Sequence, residues 1–403
     1  MFVGIDDTDS IKGMCTTYLA AKLCHELDII GSPKLVRLNP NIPYKTRGNA
    51  AIAFETNDLS AKKKVISLVK KYSMVSDSKT NPGVVFLESK KVPKKVKDFY
   101  SRVVSELVSI EDAEKVISAI KADTFKLKNG RGIIGALAAI GFNGEKTYEI
   151  IAYRKSKKEV KERKISRDSV VRMNDLFFPG VFDNLDVSGK RILITPKGRD
   201  PIFCGIRGRS KNIVCKAWDM IEPLEPIEFT QLFETNQATD AHLRIKKISE
   251  IKPYDCVIVS GTVSSNPKRV PGGHVIFGLT DKTGSIECAA YKPSRDFRDI
   301  ASFLAVGDEI KVYGGISKYV KTINLEKIEV IRLNDILSSS RPVCCNKNMS
   351  SAGRNKGFKC KKCSKKILKT GVKISQKNRS LFLGIYDVPA GSRRHLSKPV
   401  FLD

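Results

Sequence analysis

Met1-Phe-Val-Gly-Ile-Asp-Asp-Thr-Asp-Ser10, continued by Gly13-Met-Cys-Thr-Thr-Tyr18, contains both the first secondary-structure boundary of the chain and its first candidate site. The apolar run Phe2 to Ile5 reads as a buried strand, and Thr16-Thr-Tyr-Leu-Ala-Ala-Lys-Leu-Cys-His-Glu-Leu reads as a helix ending near Gly31. Three carboxylates at a strand end therefore face two hydroxyls at a helix N-terminus across one turn. Mg²⁺ takes hard oxygen ligands, commonly one or two carboxylates with phosphate and water in its other positions, and Asp6, Asp7 and Asp9 can supply them. Free N–H groups of the first helical turn suit a phosphate, and Thr16 or Thr17 could accept a phosphoryl group in line. An Asp-rich turn that only caps the helix would use the same residues.

Around this segment, residues 1–95 alternate strand and helix signals. Lys34-Leu-Val-Arg-Leu38, Ala50-Ala-Ile-Ala-Phe54 and Gly83-Val-Val-Phe-Leu87 are strand-like, and Asn57 to Met74 is an amphipathic helix. A second unit, 96–242, holds helical signals up to Ile120, a glycine-rich turn from Asn129 to Gly141 and the alternating strand Tyr148-Glu-Ile-Ile-Ala-Tyr153. Its charged stretch Arg154 to Arg167 reads as an exposed hairpin or loop. From 243 to 335 short β-rich runs recur about every ten residues, with Asp281-Lys-Thr-Gly284 as a hairpin turn and Asp296 to Leu304 as one inserted helix. Five strands with a helix between the third and fourth match an OB-fold barrel, a frequent nucleic-acid binder, with an SH3-like barrel as the alternative. The last unit, 336–403, carries a cysteine cluster and a tail. The fold class is multidomain α+β.

A chain of 403 residues supports two to four cores. It has no apolar run long enough for a membrane span and no secretory leader, so a soluble, cytoplasmic protein without a membrane partner is expected. Its formal charge of +29, spread along the chain, exceeds what solubility requires and predicts a polyanion partner tracked over a long surface. A lysine-rich proteome would give the same composition.

Six of the ten cysteines are isolated, whereas Cys344, Cys345, Cys360 and Cys363 cluster with the spacing of a structural zinc site in a reducing compartment. Adjacent Cys344 and Cys345 depart from the usual CxxC, so one of them is expected to ligate with another group, or the site to have degenerated.

Gly130-Arg-Gly-Ile-Ile-Gly135 satisfies GxGxxG, but Thr124-Phe-Lys-Leu-Lys-Asn before it is at best half a strand and no βαβ unit follows. Gly130, Arg131 and Gly132 then either bring backbone N–H groups to a phosphate or serve tight packing of the helix Ile133 to Ile140. The aperiodic loop Arg37 to Asn49 offers Lys45 and Arg47 to a nucleotide or RNA phosphate, and Lys79-Thr-Asn-Pro-Gly83 offers Lys79. Pro196 to Gly208 is a third cationic loop, containing Arg207. A cationic small substrate would need carboxylates nearby, for which Asp183, Asp186 and Asp200 are candidates against turn or capping roles. His25, His242, His274 and His395 show no metal or triad spacing and read as capping or surface residues.

In their order these motifs resemble the archaeal tRNA agmatidine synthetases. The matching strings are Gly4 to Ser10 with Gly13 to Tyr18, Arg37-Leu-Asn-Pro40 with Pro43 to Asn49, Lys79 to Gly83, Gly130 to Gly141, Gly205-Ile-Arg-Gly208, the barrel, the cysteine cluster and Arg393-Arg-His-Leu-Ser-Lys-Pro399. The resemblance implies a kinase-like N-terminal domain, a ferredoxin-like domain, an OB-fold and a zinc ribbon. It implies that ATP activates the wobble cytidine of a CAU-anticodon isoleucine tRNA at its 2-oxygen, that agmatine replaces this oxygen, and that the product reads AUA. It also implies autophosphorylation at Thr16 or Thr17, with Thr16 favoured. A non-catalytic, basic OB-fold and zinc-ribbon RNA-binding protein is the alternative. The SGGxDS-type loop of bacterial lysidine synthetases is absent from the sequence.

Overall fold

The structure, a computed structural model, describes residues 1–45, 48–155, 162–186, 191–368, 373–376 and 378–402, with backbone only for 337–340 and 373–376. Strands β1 (Phe2–Asp6), β2 (Ile29–Arg37), β3 (Ala50–Thr56) and β4 (Gly83–Leu87) alternate with helices α1 (Thr16–Glu26) and α2 (Ala61–Tyr72). Then follow α3 (Lys94–Val103), α4 (Ile110–Ala119), β5 (Asp123–Lys126) and α5 (Ile133–Ile140). The strands pair antiparallel in the order β5-β4-β1-β3-β2.

Strand alternation gives this half-sheet two apolar faces. Val3, Ile5, Val84 and Phe86 pack on Leu19 and Leu23 of α1 and on Val65 and Val69 of α2. Val85, Leu87, Ala51 and Ala53 face α3 to α5, including Phe99, Ala136 and Leu137. Each fully buried side chain of this kind stabilises the fold by roughly 1.5–3 kcal/mol. Residues 96–142, read from sequence as the start of a second unit, thus complete the core of the first, and the boundary expected near residue 95 falls inside this packing.

The next elements are β6 (Thr147–Arg154), α6 (Arg167–Phe177), β7 (Val181–Phe182), β8 (Ile202–Gly208), α7 (Lys211–Asp219) and β9 (Ile227–Thr235). Their β-α-β-β-α-β succession and antiparallel order β9-β6-β8-β7 are those of the ferredoxin-like fold. Parallel pairing of Lys34 and Leu35 in β2 with Glu234 and Thr235 in β9 fuses the two halves into one nine-stranded sheet. Within Arg154 to Arg167, residues 156–161 lie outside the described residues. In the described flanks Lys155, Glu162, Lys164 and Arg167 are exposed as expected, while Arg154 pairs with Glu225 at 2.7 Å and Arg163 with Asp200 at 3.0 Å through largely buried side chains.

After β10 (Arg244–Ile245), strands β11 (Cys256–Arg269), β12 (Val275–Asp281), β13 (Gly284–Ala290), β14 (Glu309–Ile316) and β15 (Thr322–Arg332) form a barrel, with helix α8 (Phe297–Ser302) between β13 and β14. Parallel β13–β15 pairing and antiparallel β11–β14 pairing close it as an OB-fold instead of an SH3-like barrel. It docks on the first unit through Asn39 Nδ2, which donates to Tyr254 O at 2.9 Å, and Asn41 Nδ2, which donates to Asp255 O at 3.1 Å. Short strands between Val343 and Ile367 carry the cysteines, and the strand Gly384–Asp387 returns the chain to β15. Among the described residues no helix is long and apolar enough to cross a membrane.

Candidate active site

A cavity of about 350 Å³ opens where the end of β1, the start of α1 and the strands β6 and β8 converge. Asp6, Asp7, Asp9, Thr16, Thr17, Lys45, Arg131, Gly132, Asp200 and Arg207 all reach it from separate parts of the sequence. Arg47 lies outside the described residues.

Backbone geometry sets the carboxylates. Asp7 has φ of 58°, a left-handed turn that ends β1, and its N–H donates to Asp6 Oδ1 at 2.7 Å. Asn81 N–H donates to Asp7 Oδ2 at 3.1 Å, and Thr80 Oγ1 donates to Asp9 O at 2.7 Å. The Lys79 to Gly83 loop therefore acts on the site through Thr80 and Asn81, which hold the aspartates, while Lys79 is not among the cavity-lining residues. Burial, then the neighbouring Asp7 charge, pushes the Asp6 carboxyl well above its ordinary range. Burial pushes Asp7 up to about 7, with the Asn81 N–H opposing and the Asp9 charge reinforcing. Crowded, desolvated carboxylates of this kind are relieved by a divalent cation. The three do not bring an oxygen each within 4.8 Å of one another, as the cysteines described below bring their sulfurs. They fit a Mg²⁺ ion taken by one or two of them, and not a three-carboxylate cage.

No side chain caps helix α1, whose N-cap is Cys15. Thr16 and Thr17 are both buried in its first turn. Thr8 Oγ1 donates to Thr16 Oγ1 at 3.0 Å, and Cys15 Sγ lies 3.0 Å from Thr17 Oγ1. The N-terminal N–H groups thus point to the cavity without a side-chain acceptor in the cap position, an arrangement that favours an anion.

The glycine-rich turn divides its labour. A Cβ on Gly132 would meet Asp6 O and Gly83 N, and one on Gly135 would meet the Asp6 carboxylate, so both serve close packing of α5 on β1. Gly130 takes φ of 66° to turn the chain beside Lys126 and is not among the cavity-lining residues. Arg131 stacks its guanidinium 3.8 Å from the Tyr44 ring centre at the cavity wall. Lys45 Nζ donates to Pro40 O, and burial followed by the Arg394 charge lowers its pKa.

Of the carboxylates expected to receive a cationic substrate, only Asp200 lines the cavity, and its Oδ1 is taken by Arg163. Asp183 is held by Arg207 at 3.6 Å and by Arg393. Asp186 accepts from Arg191 N–H at 3.0 Å and faces Arg295 at 3.6 Å. These two fasten neighbouring segments and do not line the cavity.

The sequence left several cavity residues unassigned. Arg37 is enclosed, its pKa lowered by burial, and it lies 3.8 Å from Glu149, which also accepts from Gln237 Nε2 at 2.5 Å. Glu149 alternates with Ile151 and Tyr153 on a buried face of β6, and a carboxylate in an apolar register was its signal. Of the histidines read as surface or capping residues, His242 departs from that reading, and His395 is exposed but faces the site. His242 is fully buried, 3.1 Å from Glu326, and His395 lines the cavity.

The four cysteine sulfurs lie within 4.8 Å of one another, with Cys344 Sγ 3.4 Å from Cys363 Sγ and 4.0 Å from Cys345 Sγ. Both members of the adjacent pair point inward, contrary to expectation, because Cys345 and Asn346 adopt φ of 49° and 58° and turn the chain back. Four thiols so grouped fit a tetrahedral Zn²⁺.

Residues 2–63 and 53–129 match the TiaS TCKD domain family, 130–242 the TiaS FLD domain, 257–331 the OB-fold nucleic acid binding domain and 341–381 the TiaS C-terminal zinc ribbon domain. The isoleucine-tRNA 2-agmatinylcytidine synthetase TiaS of Methanocaldococcus jannaschii is 43% identical, over 100% of this chain and 98% of the relative. That of Pyrococcus horikoshii is 45% identical, over 100% and 97%. A solved complex of TiaS with its isoleucine tRNA and ATP superposes with a TM-score of 0.91 at 39% identity, covering 99% of this chain and 96% of that one. A complex of TiaS with the same tRNA, AMPCPP and agmatine gives 0.88 at 37%, covering 99% and 96%.

Proposed function

The chain belongs to the TiaS family of isoleucine-tRNA 2-agmatinylcytidine synthetases, and from that premise we propose how its cavity serves the family's reaction. The protein is an ATP-dependent carbon–nitrogen ligase that joins agmatine to C2 of the wobble cytidine in the isoleucine tRNA with a CAU anticodon. The observation that carries the mechanism is one cavity uniting the Asp6, Asp7 and Asp9 turn, the uncapped start of α1 and cations from three other segments.

The N-terminal half of the sheet with α1 to α5 acts as a kinase-like unit. ATP places its phosphates against the N-terminus of α1, where Lys45 and Arg131 offset their charge. Asp7 with Asp6 or Asp9 would hold Mg²⁺, which would supply further charge neutralisation on the phosphates. The γ-phosphoryl group passes to the cytidine 2-oxygen as its bond to the β-phosphate oxygen breaks and ADP becomes the leaving group. The agmatine amine then bonds to C2 and loses its proton, the C2–O bond breaks, and phosphate leaves with that oxygen. Thr16, with its hydroxyl at the same helix start, is the favoured side acceptor over Thr17. An anticodon base reaches the cavity because single-stranded loops present unstacked bases at modest cost.

The barrel and ribbon grip the tRNA away from the reacting base, zinc in the four-cysteine cluster being structural. A cytoplasmic location follows from the substrate. Incubating CAU-anticodon tRNA with ATP and labelled agmatine, followed by mass spectrometry of the wobble nucleoside, tests the reading. Label at that base is the expected result, and its absence rejects the function.

A further inference from the structure

The C-terminal segment, which the mechanism above leaves unused, crosses the barrel and both halves of the fused sheet. Residues Gly384–Asp387 pair with β15 of the barrel. Arg393 pairs with Asp183 and Asp387, Arg394 pairs with Glu326 at 3.4 Å and donates to Asn41, and Lys398 N–H donates to Asp240 at 2.8 Å. Leu402 is buried against Phe182 and Ala238. Between these anchors, His395 is the residue that the segment presents to the cavity.

Its ring is accessible to solvent yet sits between two guanidiniums, Arg37 and Arg207. The charge of Arg37, then burial, then the charge of Arg207, hold it well below the ordinary histidine range, so the imidazole is neutral. Arg207 has only N–H groups to offer, and its Nη1 lies 3.5 Å from His395 Nδ1. Nδ1 must therefore accept, which places the ring proton on Nε2. Nε2 has no hydrogen-bond partner among the described residues and points toward Gly48, where a Cβ would also meet Arg37. The Nε2–H and the Arg37 guanidinium thus meet beside Gly48 in a cavity proposed above to handle phosphate, while Arg207, paired with Asp183, backs the ring at Nδ1.

We propose that the C-terminal segment completes the active site by delivering His395, whose Nε2–H, set by Arg207 at Nδ1, joins Arg37 in binding a phosphoryl oxygen. This rests on the phosphoryl-transfer reading. The oxygen belongs either to ATP or to the phosphorylated cytidine, and the two sources separate experimentally.

The test compares full-length wild type, His395→Phe, which keeps the ring and loses both nitrogens, and His395→Gln, which keeps a terminal N–H donor. Loss of one hydrogen bond to a charged oxygen predicts a fall of about 10- to 100-fold in wobble modification for His395→Phe, with substantial recovery in His395→Gln. If the oxygen is on ATP, affinity for AMPCPP without tRNA falls by the same factor. If it is on the activated base, AMPCPP affinity and KM for agmatine hold and kcat falls. Wild-type rates and affinities in His395→Phe would overturn the proposal. A second readout needs no variant: AMPCPP with CAU-anticodon tRNA should protect His395 from diethyl pyrocarbonate, and unchanged labelling of that residue would also overturn it. Failure of wild type to use ATP and agmatine at all would instead reject the underlying function.

Discussion

Gly135 of α5 sits directly against the Asp6 carboxylate at the end of β1, leaving no room for a side-chain carbon. One helix residue thereby fixes the position of the first aspartate in the site. Gly135→Ala should displace Asp6 or lift α5 from the sheet, costing about 1–3 kcal/mol of stability and about 100-fold in modification rate. Thermal unfolding alongside the wobble-nucleoside assay checks both, and a fully active, fully stable variant would remove the constraint on Asp6.

Asp7→Asn keeps the shape of a residue already in a left-handed turn but removes the charge offered to a cation. ATP- and agmatine-dependent modification should fall by at least about 100-fold. Affinity for tRNA should stay within a few fold, because it resides in the basic surface of a chain carrying +29. Rates and filter binding measured together separate the two, and retained activity would exclude Asp7 as a metal ligand.

Cys345→Ser tests whether the adjacent pair ligates as a pair. With all four sulfurs inside 4.8 Å, the wild-type protein should hold one zinc per ribbon and the variant should release it to a chelator at much lower concentration. Elemental analysis after dialysis against the chelator decides it. Equal retention would leave Cys345 outside the metal site.

Glu326 links barrel to catalytic units through His242 and Arg394, and these partners outweigh the upward push of burial to hold its carboxyl at about 2. A folded-state value below the ordinary one near 4.5 means that its stabilisation is complete above about pH 4.5 and is lost as pH falls from there through about 2. That difference corresponds to on the order of 3 kcal/mol. Glu326→Gln should lower thermal stability at pH 7 and flatten its decline in that acid window. Parallel curves for the two proteins would show that Glu326 carries no such linkage.

Local patterns were enough for the elements and for half of the site. The helix Ile133–Ile140, the strand Gly83–Leu87 and the five-strand order of the barrel follow from apolar periodicity and turn residues, which act over a few positions. Asp6, Asp7, Asp9, Thr16 and Thr17 were legible because one turn brings them together. The pairing of β2 with β9, some two hundred residues apart, left no local signal, so neither the fused sheet nor the place of residues 96–142 could be read in advance. The same holds for side chains whose task depends on what faces them. Asp183 looks like a substrate carboxylate until Arg207 and Arg393 occupy it, and His395 looks unconnected to the site until the tail is threaded between Arg37 and Arg207. The sequence by itself determined the three-aspartate turn, the barrel and the cysteine cluster, since each is short-range chemistry. Which charges are spent on one another and which are left to face the cavity was decided only by long-range packing, because desolvation and ion pairing depend on neighbours that the chain order does not specify.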